Sequence, residues 1–121
     1  MIKKLKFVTI PTRDQDRALV FWTEQIGLRV ATDQPMGPGR RWIELSIPGA
    51  DTGVVLFTPE GQEDRIGTFF NGSFECEDVA YSYSQMSAKG VEFEGPPEKQ
   101  PWGTFAKFKD PDGNTFVLSS R

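Results

Sequence analysis

Punctuation repeats at a fixed interval along these 121 residues. Gly27 and Gly90 stand 63 residues apart by subtraction, and so do Pro48 and Pro111. Each glycine follows a helical run of apolar residues, where a C-terminal stop belongs. Each proline sits in a turn between two runs that alternate in polarity. Self-similarity of this kind predicts two copies of one supersecondary unit. A chain this short has material for one core but not for two independent ones. The reading is therefore a single domain, 1–121, with module one at about 1–58 and module two at about 66–121.

Within module one, Lys6 to Ile10 alternates and Pro11 ends the strand, since proline cannot donate to a ladder. Asp14 is placed to cap a helix, with Asp16 in its first turn, where the helix dipole favours an anion. Ala18, Leu19, Phe21, Trp22 and Ile26 follow at helical spacing. Leu28 to Thr32 reads as a short strand, and 34–39 as a flexible glycine loop. Arg41 to Ile47 alternates, the chain turns at Pro48-Gly49-Ala50-Asp51, and Gly53 to Phe57 returns as a strand. Pro59 to Arg65 is polar and aperiodic, so the joint between modules falls there. Module two repeats the order. Phe69 to Cys76 alternates, Asp78 opens a helix through Tyr81, Met86 and Ala88, and Val91 to Phe93 is a short strand. Glu94 to Pro101 reads as a proline-rich loop. The stretch GTFAKFKDPDGNTFVLSSR then closes the chain as a hairpin about Asp110-Pro111-Asp112-Gly113-Asn114. That turn echoes a calcium loop, but its glycine comes too early and no glutamate closes it, which favours a plain turn.

Bulk charge excludes several classes. With 14 basic and 17 acidic residues interspersed, no histidine and a net charge of −3, nothing marks a nucleic-acid or anionic-lipid surface. Lys3, Lys4 and Lys6 form the one basic cluster, read as a solvated strand end. Cys76 is the single cysteine, so no internal disulfide forms and secretion gains no support. No apolar run reaches membrane length. The expected setting is the cytoplasm.

The closing hairpin, the pattern Asp14…Ala18…Phe21-Trp22…Ile26-Gly27 and the repeat together resemble the vicinal oxygen chelate superfamily: glyoxalase I, bleomycin-resistance proteins and extradiol dioxygenases. The resemblance spans nearly the whole chain. It implies an α+β fold in which paired βαβββ modules form a curled mixed sheet around a cleft, with the helices on the outer faces. Alternation then sorts the strands. Val8, Ile10, Ile43, Leu45, Val55, Phe57, Phe70, Phe74, Phe108, Phe116 and Leu118 belong under the helices. Phe7, Thr9, Trp42, Glu44, Ser46, Val54, Leu56, Asn71, Ser73, Glu75, Phe105, Lys107, Val117 and Ser119 line the cleft, and Trp102 joins them.

The family's metal-using members draw ligands from four cleft positions, which the resemblance carries onto Phe7, Val54, Asn71 and Val117. Three have no donor atom and the fourth only a neutral amide, so no metal and no cofactor are expected. The leading reading is a metal-free small-molecule-binding protein of the bleomycin-resistance type. Phe7, Trp42, Trp102 and Phe105 would stack on an amphipathic or aromatic ligand, and Glu44, Asn71, Glu75 and Lys107 would orient it. The alternative is an enzyme of the same superfamily. That would be a metal-independent isomerase or lyase with Glu44 or Glu75 as base and Lys107 beside them, or a metal-dependent lyase or dioxygenase. Arg40 and Arg41 are weaker candidates for receiving an anion. The resemblance also implies a homodimer, with the loops at 34–39 and 94–101 as lids.

Overall fold

A computed structural model describes residues 1–68 and 71–120, with Asn71 described for its backbone alone. The expected core residue Phe70 lies outside the described residues. The chain divides into two compact units, Met1–Asp64 and Arg65–Arg121, each a mixed sheet with its own helix.

Unit one runs β1 (Phe7–Pro11), α1 (Gln15–Val20), β2 (Arg29–Pro35), β3 (Arg41–Ser46) and β4 (Gly53–Phe57). The strands lie in the order β1-β4-β3-β2. β4 pairs parallel with β1 and antiparallel with β3. A parallel pair needs a crossover between its strands, and α1 begins that crossover. Asp14 caps the helix as its sequence predicts, its side chain accepting from Arg17 N at 3.0 Å. After Val20 the helix widens into a π turn over Phe21–Gln25, closed by Ile26 N donating to Phe21 O at 3.1 Å. Gly27 then stops it at φ 97°. β2 reaches Pro35, so the first two residues of the expected 34–39 loop are strand.

One side chain joins helix to sheet. At the open end of the β3–β4 ladder, Gln15 donates to Arg41 O (2.7 Å) and Leu56 O (3.0 Å) and accepts from Arg41 N (3.1 Å). Its amide thereby substitutes for a missing strand residue and satisfies backbone groups that would otherwise need water. Arg41 itself is tied to Asp33 at 3.0 Å and to Asp16. Those carboxylates, Asp33 first, push its already high pKa further up.

Unit two runs β5 (Asn71–Glu75), α2 (Val79–Ala88), β6 (Glu92–Phe93), β7 (Glu98–Gln100), β8 (Gly103–Lys109) and β9 (Thr115–Ser120). β9 lies between β5, parallel, and β8, antiparallel. Asp78 caps α2 through Tyr81 N at 3.2 Å. Val79 and Met86 face the core, but Tyr81 is exposed; the helix touches the sheet through Tyr83 instead, whose ring meets Phe93 at 4.7 Å. A chain of aromatic rings continues from Phe93 to Phe108 (5.9 Å), to Phe116 (5.4 Å) and to Phe74 (5.7 Å). The expected loop at 94–101 contains β7, and Gln100 pairs with Gly103 across a two-residue hairpin.

The Asp110–Asn114 segment is a turn whose own amides occupy its carboxylate. Asp110 accepts from Asn114 N (2.9 Å), Asp112 N (3.1 Å) and Asn114 Nδ2 (2.9 Å). Asn114 Oδ1 accepts from Gly67 N at 3.0 Å, which pins the start of the unit to its closing hairpin. Gly67 sits at φ +82°, where a Cβ would clash with Asp112 O. Gly67→Ala is therefore expected to destabilise the protein by about 2–3 kcal/mol in denaturant unfolding.

Burial pushes the Asp110 carboxyl up to about 6, outweighing the hydrogen bonds that lower it. The folded value lies above the unfolded one of 3.8, so the folded state binds the proton more tightly. The contribution of Asp110 to stability falls as pH rises through the window from about 4 to about 6 and is flat above it. An NMR titration should place the Asp110 carboxyl midpoint near the upper end of that window; a midpoint at or below 3.8 would contradict it.

Candidate functional site

Registers decide which side chains share a face, because paired residues point the same way. In unit two, Ser73, Val117 and Lys107 form one row, and Glu75, Ser119 and Phe105 the next. The backbone of Asn71 pairs with that of Thr115 in the same register. Phe74, Leu118, Ala106, Phe116 and Phe108 occupy the opposite face. That is the division the alternation of the closing hairpin predicts.

Unit one requires a correction. Val54 pairs with Val8 and Leu45, and Leu56 with Ile10 and Ile43. Both therefore belong to the core face, where Ile10, Ile43, Leu45, Val54 and Leu56 are at most 2% exposed. Val55 and Phe57 take the opposite face, since Val55 pairs with Thr9 and Glu44. The cause is turn length. The connection from Leu45 to its partner Val54 has one residue more than that from Phe108 to its partner Phe116. Counting 63 residues back through the turn lands one position short, and in a strand one position reverses the face.

The open face of unit one thus carries Phe7, Thr9, Trp42, Glu44, Val55 and Phe57. The rings of Phe7 and Trp42 meet edge-on with centroids 5.7 Å apart. Trp42 Nε1 lies 3.4 Å from Glu44 Oε1, a long hydrogen bond. Val55, between Thr9 and Glu44 in the register, is fully buried. Trp42 is thereby held by its own unit rather than displayed.

A hollow of about 430 Å³ in unit one, lined by Glu44, Ser46, Lys3, Lys4 and Lys6, holds no aromatic ring, and the open face of unit two differs in that respect. A hollow of about 380 Å³ is lined by Ser73, Glu75, Trp102, Phe105, Val117 and Ser119. Trp102, at the tip of the β7–β8 hairpin, is 77% exposed. A second hollow of about 330 Å³ shares Phe105 and adds Glu94, Glu98 and Lys107. Glu75 and Lys107 are exposed, two strands apart and in different rows, and among the described residues no ion pair joins them. Neither therefore orients the other for proton transfer, as the catalytic reading requires.

Positions that the resemblance assigns to metal ligands pass, with the register correction, to Phe7, Val55, Asn71 and Val117. Phe and Val have no donor atom, so this set does not suit a divalent cation. Among the described residues, no three or more His, Cys, Asp or Glu side chains cluster closely enough to hold one. The two arginines are also committed. Arg41 holds Asp33 and Asp16, and Arg40 pairs with Glu60 at 3.1 Å and reaches Thr58 O at 3.4 Å. Neither is set aside for an anionic ligand. No described helix is long and apolar enough to cross a membrane.

Comparison with known proteins agrees with this geometry. Residues 4–118 match the model of the glyoxalase/bleomycin resistance protein/dioxygenase superfamily, and the chain belongs to that family. YetH of Bacillus subtilis (strain 168) is 42% identical over 121 residues, with 98% of each chain covered. The structure superposes with a TM-score of 0.87 on TnmS3, an antibiotic binding protein from Streptomyces sp. CB03234, at 32% identity over 98% of this chain and 96% of that one. It superposes equally, TM-score 0.87, on a superfamily member from Sphaerobacter thermophilus, 32% identical over 99% and 98% of the two chains.

The two tryptophans should behave oppositely in denaturant unfolding. Trp42→Ala removes packing against Phe7 and is expected to cost about 2–3 kcal/mol. Trp102→Ala should change stability by less than about 0.5 kcal/mol, as surface substitutions do.

Proposed function

We propose that this protein binds a small amphipathic or aromatic molecule without a metal ion, on the open face of its second unit. One observation carries the reading: a bulky indole, contributing nothing evident to the fold, stands at the rim of a polar–aromatic hollow. Covering an indole beside such a hollow gives a ligand a large apolar contact. Trp102, Phe105 and Val117 would receive the ligand's apolar surface, and Ser73, Glu75 and Ser119 would receive its polar groups. The antibiotic-binding relative supports binding over catalysis, and the apolar residues at the family's ligand positions support metal independence. The reading extends to a cytoplasmic protein that works as a homodimer, which sedimentation at micromolar concentration tests.

Tryptophan fluorescence of the full chain, titrated with 9-anthracenemethanol, tests the binding. Saturable quenching at one probe per chain, unchanged by EDTA, is expected. Trp102→Ala should weaken the probe's affinity by about 1–3 kcal/mol. Absence of saturable binding, or its loss on chelation, would contradict the proposal.

A further inference from the structure

Resting on that reading, we infer that the ligand is a cation: a planar ring system bearing an ammonium or a protonated ring nitrogen, with its positive end at Glu75. Four observations converge on this. Glu75 is the one charged residue among those lining the hollow of Trp102 and Phe105. It is exposed, and among the described residues it takes part in no ion pair. The two aromatic side chains in the same hollow offer electron-rich faces, which attract a cation as well as apolar surface. The fourth observation is the neighbouring charge. Lys107 stands two strands and two residues away from Glu75 in the register, on the order of 12 Å from strand spacings. That exceeds the screening length at ordinary ionic strength. The second hollow, across Phe105, sets Glu94 and Glu98 against Lys107, so that neighbouring hollow carries an acidic excess too.

Chemistry then discriminates among ligands. A neutral ring covering the hollow would strip water from the Glu75 carboxylate and give nothing back. An anion would meet repulsion as well. A cation gains a charge-assisted hydrogen bond together with the aromatic faces.

Three probes of similar ring size separate these cases on the full chain: 9-aminoacridine as cation, 9-anthracenemethanol as neutral and anthracene-9-carboxylate as anion. At low salt the cation is expected to bind at least tenfold more tightly than the neutral probe, with the anion weakest. In Glu75→Gln the cation-to-neutral affinity ratio should fall toward one. Added salt should lower the same ratio in the unsubstituted protein, which gives the answer without any variant. Equal affinities, or a ratio that neither salt nor Glu75→Gln changes, would overturn the cation assignment and leave binding itself standing. Failure of all three probes to bind would instead overturn the binding reading.

Discussion

Each unit depends on one constraint: its last strand must lie between the first strand of the unit and the one just before it. β4 and β9 each keep a parallel register on one side and an antiparallel register on the other. A slip of either strand by one residue would turn all of its side chains to the wrong face at once. The core sets resist this, because Val54 and Leu56, or Phe116 and Leu118, would then be carried into the open. The capped helices follow from the same constraint, since parallel neighbours require a crossover. What remains outside the core face is free to vary in chemistry, and there the two units differ. Unit one packs the aromatic rings of its open face, Phe7 and Trp42, against each other, whereas unit two leaves Trp102 and Phe105 around a hollow.

Much of this was legible in the sequence for definite physical reasons. The two aspartate caps, the glycine stops and the closing turn are local devices, set by residues within a few positions of one another. The faces of β8 and β9 were legible because a five-residue turn with a strong signal left no freedom in their register. The face of β4 was not. It depended on carrying a count through a turn of a different length, where no residue type marks the extra position. Gln15 escaped notice for another reason: its amide acts on backbone groups 26 and 41 positions away, and nothing local marks such a partnership. The β7–β8 hairpin was hidden by its prolines, which read as loop. Yet Pro96 and Pro97 precede β7, and Pro101 lies in its two-residue turn, so none of the three interrupts a ladder.

For the candidate site, residue types were legible and their grouping less so. Phe105, Glu75, Ser73 and Val117 share a hollow as alternation implies. The idea of Glu75 and Lys107 as cooperating groups fails on register, which alternation alone does not report. The apolar character of the family's ligand positions survives the correction, because Val55 replaces Val54 with the same side chain. Membership in the superfamily therefore speaks for the scaffold, and the chemistry has to be argued from the open faces themselves.

In the proposed binding mode, ligands meet the face of β9 that carries Val117, not the face that carries Leu118. Methyl-resolved NMR with 9-anthracenemethanol tests this most directly, since the two residues are adjacent in the chain and opposite in space. Ring-current shifts of the Val117 methyl groups should saturate with the probe, while the Leu118 methyl signals stay in place. Shifts at Leu118 with Val117 unmoved would contradict it.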